Sequence, residues 1–239
     1  ITEGLVGSEM CIRDRIHNLW NSSVAAACKA RDKFGTGRVA GSIGPLIASY
    51  RPDICPPVEE ASKIYEEKVE SIAPKVDLLL VETVCSLKQA KGVLAATDKS
   101  NKPVWISFSV DDVDGTKLRS GEKLEDVEAV INNHLVEAVL INCSPPEVVD
   151  NALSILSKMG KAFGAYANGF SKISSEFLKT RPTVDALTAR NDLGPEEYSN
   201  FVTNWIRNGA SIVGGCCEIG PTHISKISQK IHKLGYKTL

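Results

Sequence analysis

Residues 77–83 read Asp-Leu-Leu-Leu-Val-Glu-Thr (DLLLVET), an apolar run closed by polar residues at both ends. A strand that is apolar on both faces belongs to a parallel sheet covered by helices, since an antiparallel strand with one wet face would alternate. The same kind of run recurs on either side, at 39–44 (VAGSIG), 103–109 (PVWISFS), 137–143 (EAVLINC), 161–168 (KAFGAYAN) and 211–216 (SIVGGC). Amphipathic stretches fill the gaps. Residues 57–73 carry Glu59 and Glu60 in the first turn and Ala61, Ile64, Tyr65, Val69 and Ile72 at helical spacing. Stretches 87–96, 124–133, 147–159 and 221–234 read alike, and Pro195 opens another helix that Gly209 stops.

The candidate strands start on average about 34 residues apart, the repeat of a (β/α)8 barrel. Eight such units need roughly 275 residues, whereas six strands are legible here. Residues 16–34 read as one alanine-rich helix leading into the first strand, so the other units cannot lie there. The expected fold class is therefore α/β, a (β/α)8 TIM barrel with its first two βα units missing, spanning 16–239. The chain opens on Ile, and GLVGSEMCIRDR (4–15) has neither helical nor strand periodicity and resembles a vector- or adapter-derived translation. Residues 1–15 are accordingly expected to be a non-native or disordered leader on a truncated reading frame.

Twenty-eight basic residues against twenty-nine acidic ones give a net charge of -1. With no basic excess to condense on phosphates or anionic lipid, nucleic acid and membrane surfaces are not expected partners. No apolar run reaches the roughly 18 to 20 residues that span a bilayer. Seven cysteines, an odd number spread along the chain, fit a reducing cytoplasmic setting and leave thiols free to act as ligands.

Barrel active sites gather at the C-terminal ends of the strands. Those ends carry Glu82-Thr83, Asn142-Cys143, Asn168-Gly169 and Gly214-Gly215-Cys216-Cys217. Adjacent strand residues point to opposite faces. Gly214 and Gly215, however, permit backbone angles closed to other residues, and the chain must turn towards Pro221, so both thiols can face one point. Cys143, two strands away on the same rim, would add a third sulfur. Three thiolates leave one tetrahedral corner open, the arrangement of a catalytic Zn2+. The plainer alternative is three small buried hydrophobes, and a vicinal disulfide would require a strained ring. Glu82 is either a partner for a cationic amine or a solvated rim charge. Asn142 and Asn168 either orient a substrate carboxylate or stabilise turns.

Other features carry less. The loop 110–121 (VDDVDGTKLRSG) fails the calcium-loop pattern, because placing Gly115 sixth puts Val110 first and Gly121 twelfth. The run 41–45 (GSIGP) is neither a Walker sequence nor GxGxxG, and reads as strand end and turn. His223 falls in a first helical turn, suited to capping or packing. Cys11, Cys28, Cys55 and Cys85 lack convergence.

The set VAGSIGP (39–45), DLLLVET (77–83), VWISFS (104–109), INCSPP (141–146) and GGCCEIGPTHI (214–224) resembles the homocysteine S-methyltransferases, in order, over about 17–239. The resemblance implies that Cys143, Cys216 and Cys217 hold zinc and that Glu82 holds the amino group of homocysteine. It implies methyl transfer from a small activated donor to the homocysteine thiol, giving methionine. The acidic residue and glycine-rich loop of that family's first strand have no counterpart here, so weak activity is expected of these residues alone. Two further readings stay open: a zinc-binding protein without catalysis, and a metal-free barrel protein.

Overall fold

The computed structural model describes residues 2–179 and 183–238, without the side chains of residues 2–13 and 184. Helix α1 (Thr2–Phe34) contains the helix expected over 16–34, and the backbone of residues 2–15 continues it. Val24, with Trp20 and Cys28, packs α1 onto the main core, and His17 binds Glu67 and Ser71 across the interface.

Six strands follow: β1 (Ala40–Ile43), β2 (Leu78–Val84), β3 (Val104–Phe108), β4 (Val136–Asn142), β5 (Ala162–Tyr166) and β6 (Ile212–Val213). All pair in parallel and in chain order, as a barrel wall requires. Helices α2 (Val58–Ile72), α3 (Leu87–Thr97), α4 (Val127–Ile131), α5 (Pro146–Leu156), α6 (Pro195–Arg207) and α7 (Pro221–Lys233) complete the α/β alternation. Each expected strand and helix is present, with ends shifted by a few residues.

The apolar runs divide between two faces. Leu79, Val81, Ile106, Val139, Ile141 and Ala165 are fully buried in the main core, to which each helix from α1 (Val24) to α7 contributes. Burial of each large aliphatic side chain contributes about 1.5–3 kcal/mol. Leu80, Glu82, Trp105, Leu140 and Tyr166 line the other, concave face. Paired strands lie about 4.8 Å apart, so next-nearest strands in a flat sheet are nearly 10 Å apart. Cys143 after β4 and Cys216 after β6 have Cα atoms only 5.8 Å apart. The sheet therefore curls, forming the wall of a half-barrel. Among the described residues no helix is long and apolar enough to cross a membrane.

Candidate active site

The three strand-end thiols do converge. The sulfurs of Cys143, Cys216 and Cys217 all lie within 4.8 Å of one another, with Cys216 and Cys217 3.9 Å apart. Cys143 and Cys216 are joined as a disulfide while Cys217 is free. This pairing is not the vicinal one weighed from the sequence: it bridges two strands, because the curl brings their ends together. Four sulfurs around zinc at 2.3 Å would stand about 3.8 Å apart. The three sulfurs lie within a comparable span and are all soft donors, so with Cys143 and Cys216 reduced these residues would fit such an ion. Burial pushes the Cys217 thiol above its ordinary value.

The Gly-Gly before the cysteines acts differently from expectation. Neither Gly214 nor Gly215 has a positive φ; Glu218 does, at 66°. Gly215 is required for space, since a Cβ there would lie 2.1 Å from Ile219 Cγ2 and 2.5 Å from its Cβ. Beyond β6 the chain stays anchored through Gly214 N–H to Ala165 O (3.1 Å) and Cys216 N–H to Ala167 O (2.9 Å).

Glu82 ends the inward-facing row of β2 and lines a cavity of about 460 Å³ whose wall also includes Cys216, Gly214, Leu80, Trp105 and Tyr166. Both carboxylate oxygens are held: Ser42 Oγ donates to Oε2 (2.5 Å) and Tyr166 Oη to Oε1 (3.1 Å). Burial, and then the Glu82 charge, push the Tyr166 phenol well above its usual value, so it stays a donor. Lys68 of α2 feels the attraction of Glu82, although burial lowers its pKa.

The two asparagines are structural in their contacts. Asn142, 1% exposed, accepts from Thr83 N–H (2.9 Å) and donates to Thr83 Oγ1 (3.0 Å). Asn168 accepts from Phe170 N–H (3.2 Å), a turn contact. His223 caps α7, its Nδ1 accepting from Gly220 N–H (3.3 Å). Cys85 is buried, which pushes its thiol up to about 12; together with Tyr50, Ile173 and Phe177 it packs around Cys143 and Cys216. Cys28 and Cys55 are free, and Cys11 lies outside the described side chains.

Sequence reasoning gave no specific role to Ser42, Tyr166, Thr83 or Arg119. Alternation within GAY (164–166) could have placed Tyr166 on the concave face beside Glu82. Arg119 lies in the loop 110–121, two of whose acids are turn caps: Asp111 accepts from Val113 and Asp114 N–H, and Asp114 from Thr116 N–H.

Comparison with known proteins agrees with the fold. The homocysteine S-methyltransferase family profile matches residues 5–231. Homocysteine S-methyltransferase 1 of Brassica oleracea var. italica is 28% identical over 243 residues, covering 90% of this chain and 71% of that protein. Two crystal structures of the homocysteine methyltransferase MmuM from Escherichia coli superpose over 91% of this chain and 72% of theirs. The metallated form gives a TM-score of 0.74 at 25% identity, the oxidised form 0.73 at 26%.

Proposed function

The chain belongs to the homocysteine S-methyltransferase family, and from that premise we propose that it methylates the thiol of homocysteine at a zinc ion held by Cys143, Cys216 and Cys217, giving methionine. The observation that carries this reading is the juxtaposition of three sulfurs within 4.8 Å and a carboxylate, Glu82, lining a cavity that Cys216 also lines. The methyl donor is a small activated molecule. The cytoplasm, as a reducing compartment, suits a site that must keep three thiols unpaired.

When bound, zinc supplies the Lewis acidity that keeps a substrate thiol in its thiolate form near neutral pH. The protein's own residues do the rest. Reduction of the Cys143–Cys216 disulfide frees two thiols, so that three can bind together. Glu82 pairs with the substrate ammonium, and Ser42 and Tyr166 fix both of its oxygens so that the carboxylate is preorganised rather than free to rotate. Leu80, Trp105 and Leu140 give the cavity an apolar wall that packs the two methylenes between amine and sulfur. Asn142 acts one step back, holding Thr83 beside Glu82. Asn168 acts further back still, holding the turn at Phe170 on the neighbouring rim.

Cobalt loading of the reduced protein tests this reading. Thiolate-to-cobalt absorption should appear on loading and grow when homocysteine is added, and Cys143→Ser should weaken both signals. Absorption that ignores homocysteine would leave a metal-binding protein without this substrate.

A further inference from the structure

Cys143 is held in a conformation that a residue with a side chain seldom adopts. Its φ is 49°, in the left-handed region, which costs a non-glycine residue of order 1 kcal/mol and persists only where the surroundings over-determine it. Its carbonyl oxygen accepts two hydrogen bonds, from Ser109 Oγ (3.2 Å) and from Arg119 Nη2 (3.3 Å). These two donors are themselves joined, Arg119 Nε to Ser109 Oγ at 2.7 Å. The same Nη2 pairs with Asp112 Oδ1 at 2.5 Å, and Asp112 Oδ2 accepts from Ile173 N–H at 2.9 Å. The Arg119 side chain is only 9% exposed, and its guanidinium lies 4.7 Å from the centre of the Tyr50 ring. A buried guanidinium fork thus ties together the end of β3, the loop after it, the loop carrying Ile173, and the backbone of Cys143.

We infer that Arg119 is a positioning residue of the thiol cluster: its fork, with Ser109, locks the Cys143 backbone so that the sulfur stays within reach of Cys216 and Cys217. It acts through Cys143 and does not touch substrate. Lysine cannot replace it, because a single ammonium cannot present the planar array that meets Ser109, Asp112 and the Cys143 carbonyl together. The inference rests on reading these thiols as metal ligands, but it makes a separate claim about geometry in the metal-free protein.

The test uses the whole chain with Arg119→Met, Arg119→Lys and Ser109→Ala, and two readouts. In the reduced proteins, Co2+ dissociation constants are measured by competition with a chelator. Arg119→Met should bind about 10- to 100-fold more weakly, Arg119→Lys should recover little of this, and Ser109→Ala should lose less. Homocysteine affinity at saturating cobalt should stay unchanged in each. In the metal-free proteins, the Cys143–Cys216 disulfide is equilibrated against glutathione. The two thiols pass two electrons and two protons to glutathione disulfide, giving the protein disulfide and two glutathione molecules. The equilibrium constant for protein-disulfide formation should fall in the same order of variants.

Wild-type values of both readouts in Ser109→Ala and in either Arg119 variant would overturn the proposal. So would weakened homocysteine binding with unchanged cobalt affinity, which would put Arg119 on the substrate. Should Arg119→Met fail to fold, the lysine and alanine variants decide by the same criterion. Absence of any cobalt signal in the wild type would defeat the metal reading alone, and the disulfide equilibrium would still judge Arg119.

Discussion

Asn142 holds Thr83 by both ends of its amide, accepting from the Thr83 N–H and donating to the Thr83 hydroxyl across the gap between β4 and β2. Thr83 has a φ of 59° and Cys143, next to Asn142, a φ of 49°. One amide therefore ties two strained strand ends, one beside the carboxylate and one bearing a thiol. Asn142→Ala would leave a Thr83 N–H unpaired in a buried setting, at a cost of about 1–3 kcal/mol. Urea unfolding at pH 7 should show that loss, with a weaker homocysteine affinity alongside it. Unchanged stability would mean that the Thr83 amide finds another partner.

Glu82 is expected to read the substrate amine. Glu82→Gln should weaken homocysteine binding by roughly 1.5–3 kcal/mol, about 10- to 150-fold, and Tyr166→Phe by about 0.5–1.5 kcal/mol. Calorimetric titration against 4-mercaptobutyrate, which lacks the amine, separates charge recognition from packing. The wild type should prefer homocysteine, and Glu82→Gln should lose most of that preference. A variant that still discriminates would assign the amine to another group.

Much of this was legible because covering a parallel sheet on both faces leaves a simple imprint. DLLLVET and its counterparts located all six strands, and their spacing identified the barrel. The thiol cluster was legible for the same reason: a strand's last residues must lie on the rim. The reasoning failed where space, rather than dihedral freedom, governs. Gly215 was expected to supply unusual angles, yet its φ is ordinary and the crowding of Ile219 explains it. Arg119 leaves no mark in the sequence of the loop 110–121, whose acids draw the eye to calcium instead. Nothing local indicates that an arginine ten residues beyond Ser109 will fold back on it.

Acid should loosen the helix that follows the thiols. Glu196 of α6 accepts from Lys230 Nζ of α7 at 2.9 Å and pairs with Lys226. Hydrogen bonds from Lys226 and Lys230 hold its carboxyl down to about 2, below the ordinary value near 4.3. A depressed folded value stabilises the protein above the unfolded value, and the benefit disappears as pH falls through about 4.3 towards 2. Glu196→Gln should therefore lower the melting temperature modestly at pH 6, since the cluster is exposed. The gap should close by pH 2. A gap independent of pH would point to packing instead of charge.

Gly215→Ala tests whether the turn before the cysteines is limited by space. The added Cβ would sit 2.1 and 2.5 Å from two carbons of Ile219, one of them next to its backbone, so either the Cys216–Ile219 turn or β6 must shift. Overpacking of this kind costs about 1–3 kcal/mol. Because Cys216 and Cys217 lie inside the shifted segment, cobalt affinity should fall along with stability. Gly214→Ala is the control. Its Cβ would meet only Tyr166 Cβ at 3.5 Å, an ordinary contact, and both properties should stay near wild type. Pairing Gly215→Ala with Ile219→Gly should restore cobalt affinity, since the Cγ2 and Cβ carbons that the added Cβ would strike are then both absent. Failure of that rescue, with the single variants behaving as stated, would show that Gly215 serves the backbone and not the space beside Ile219.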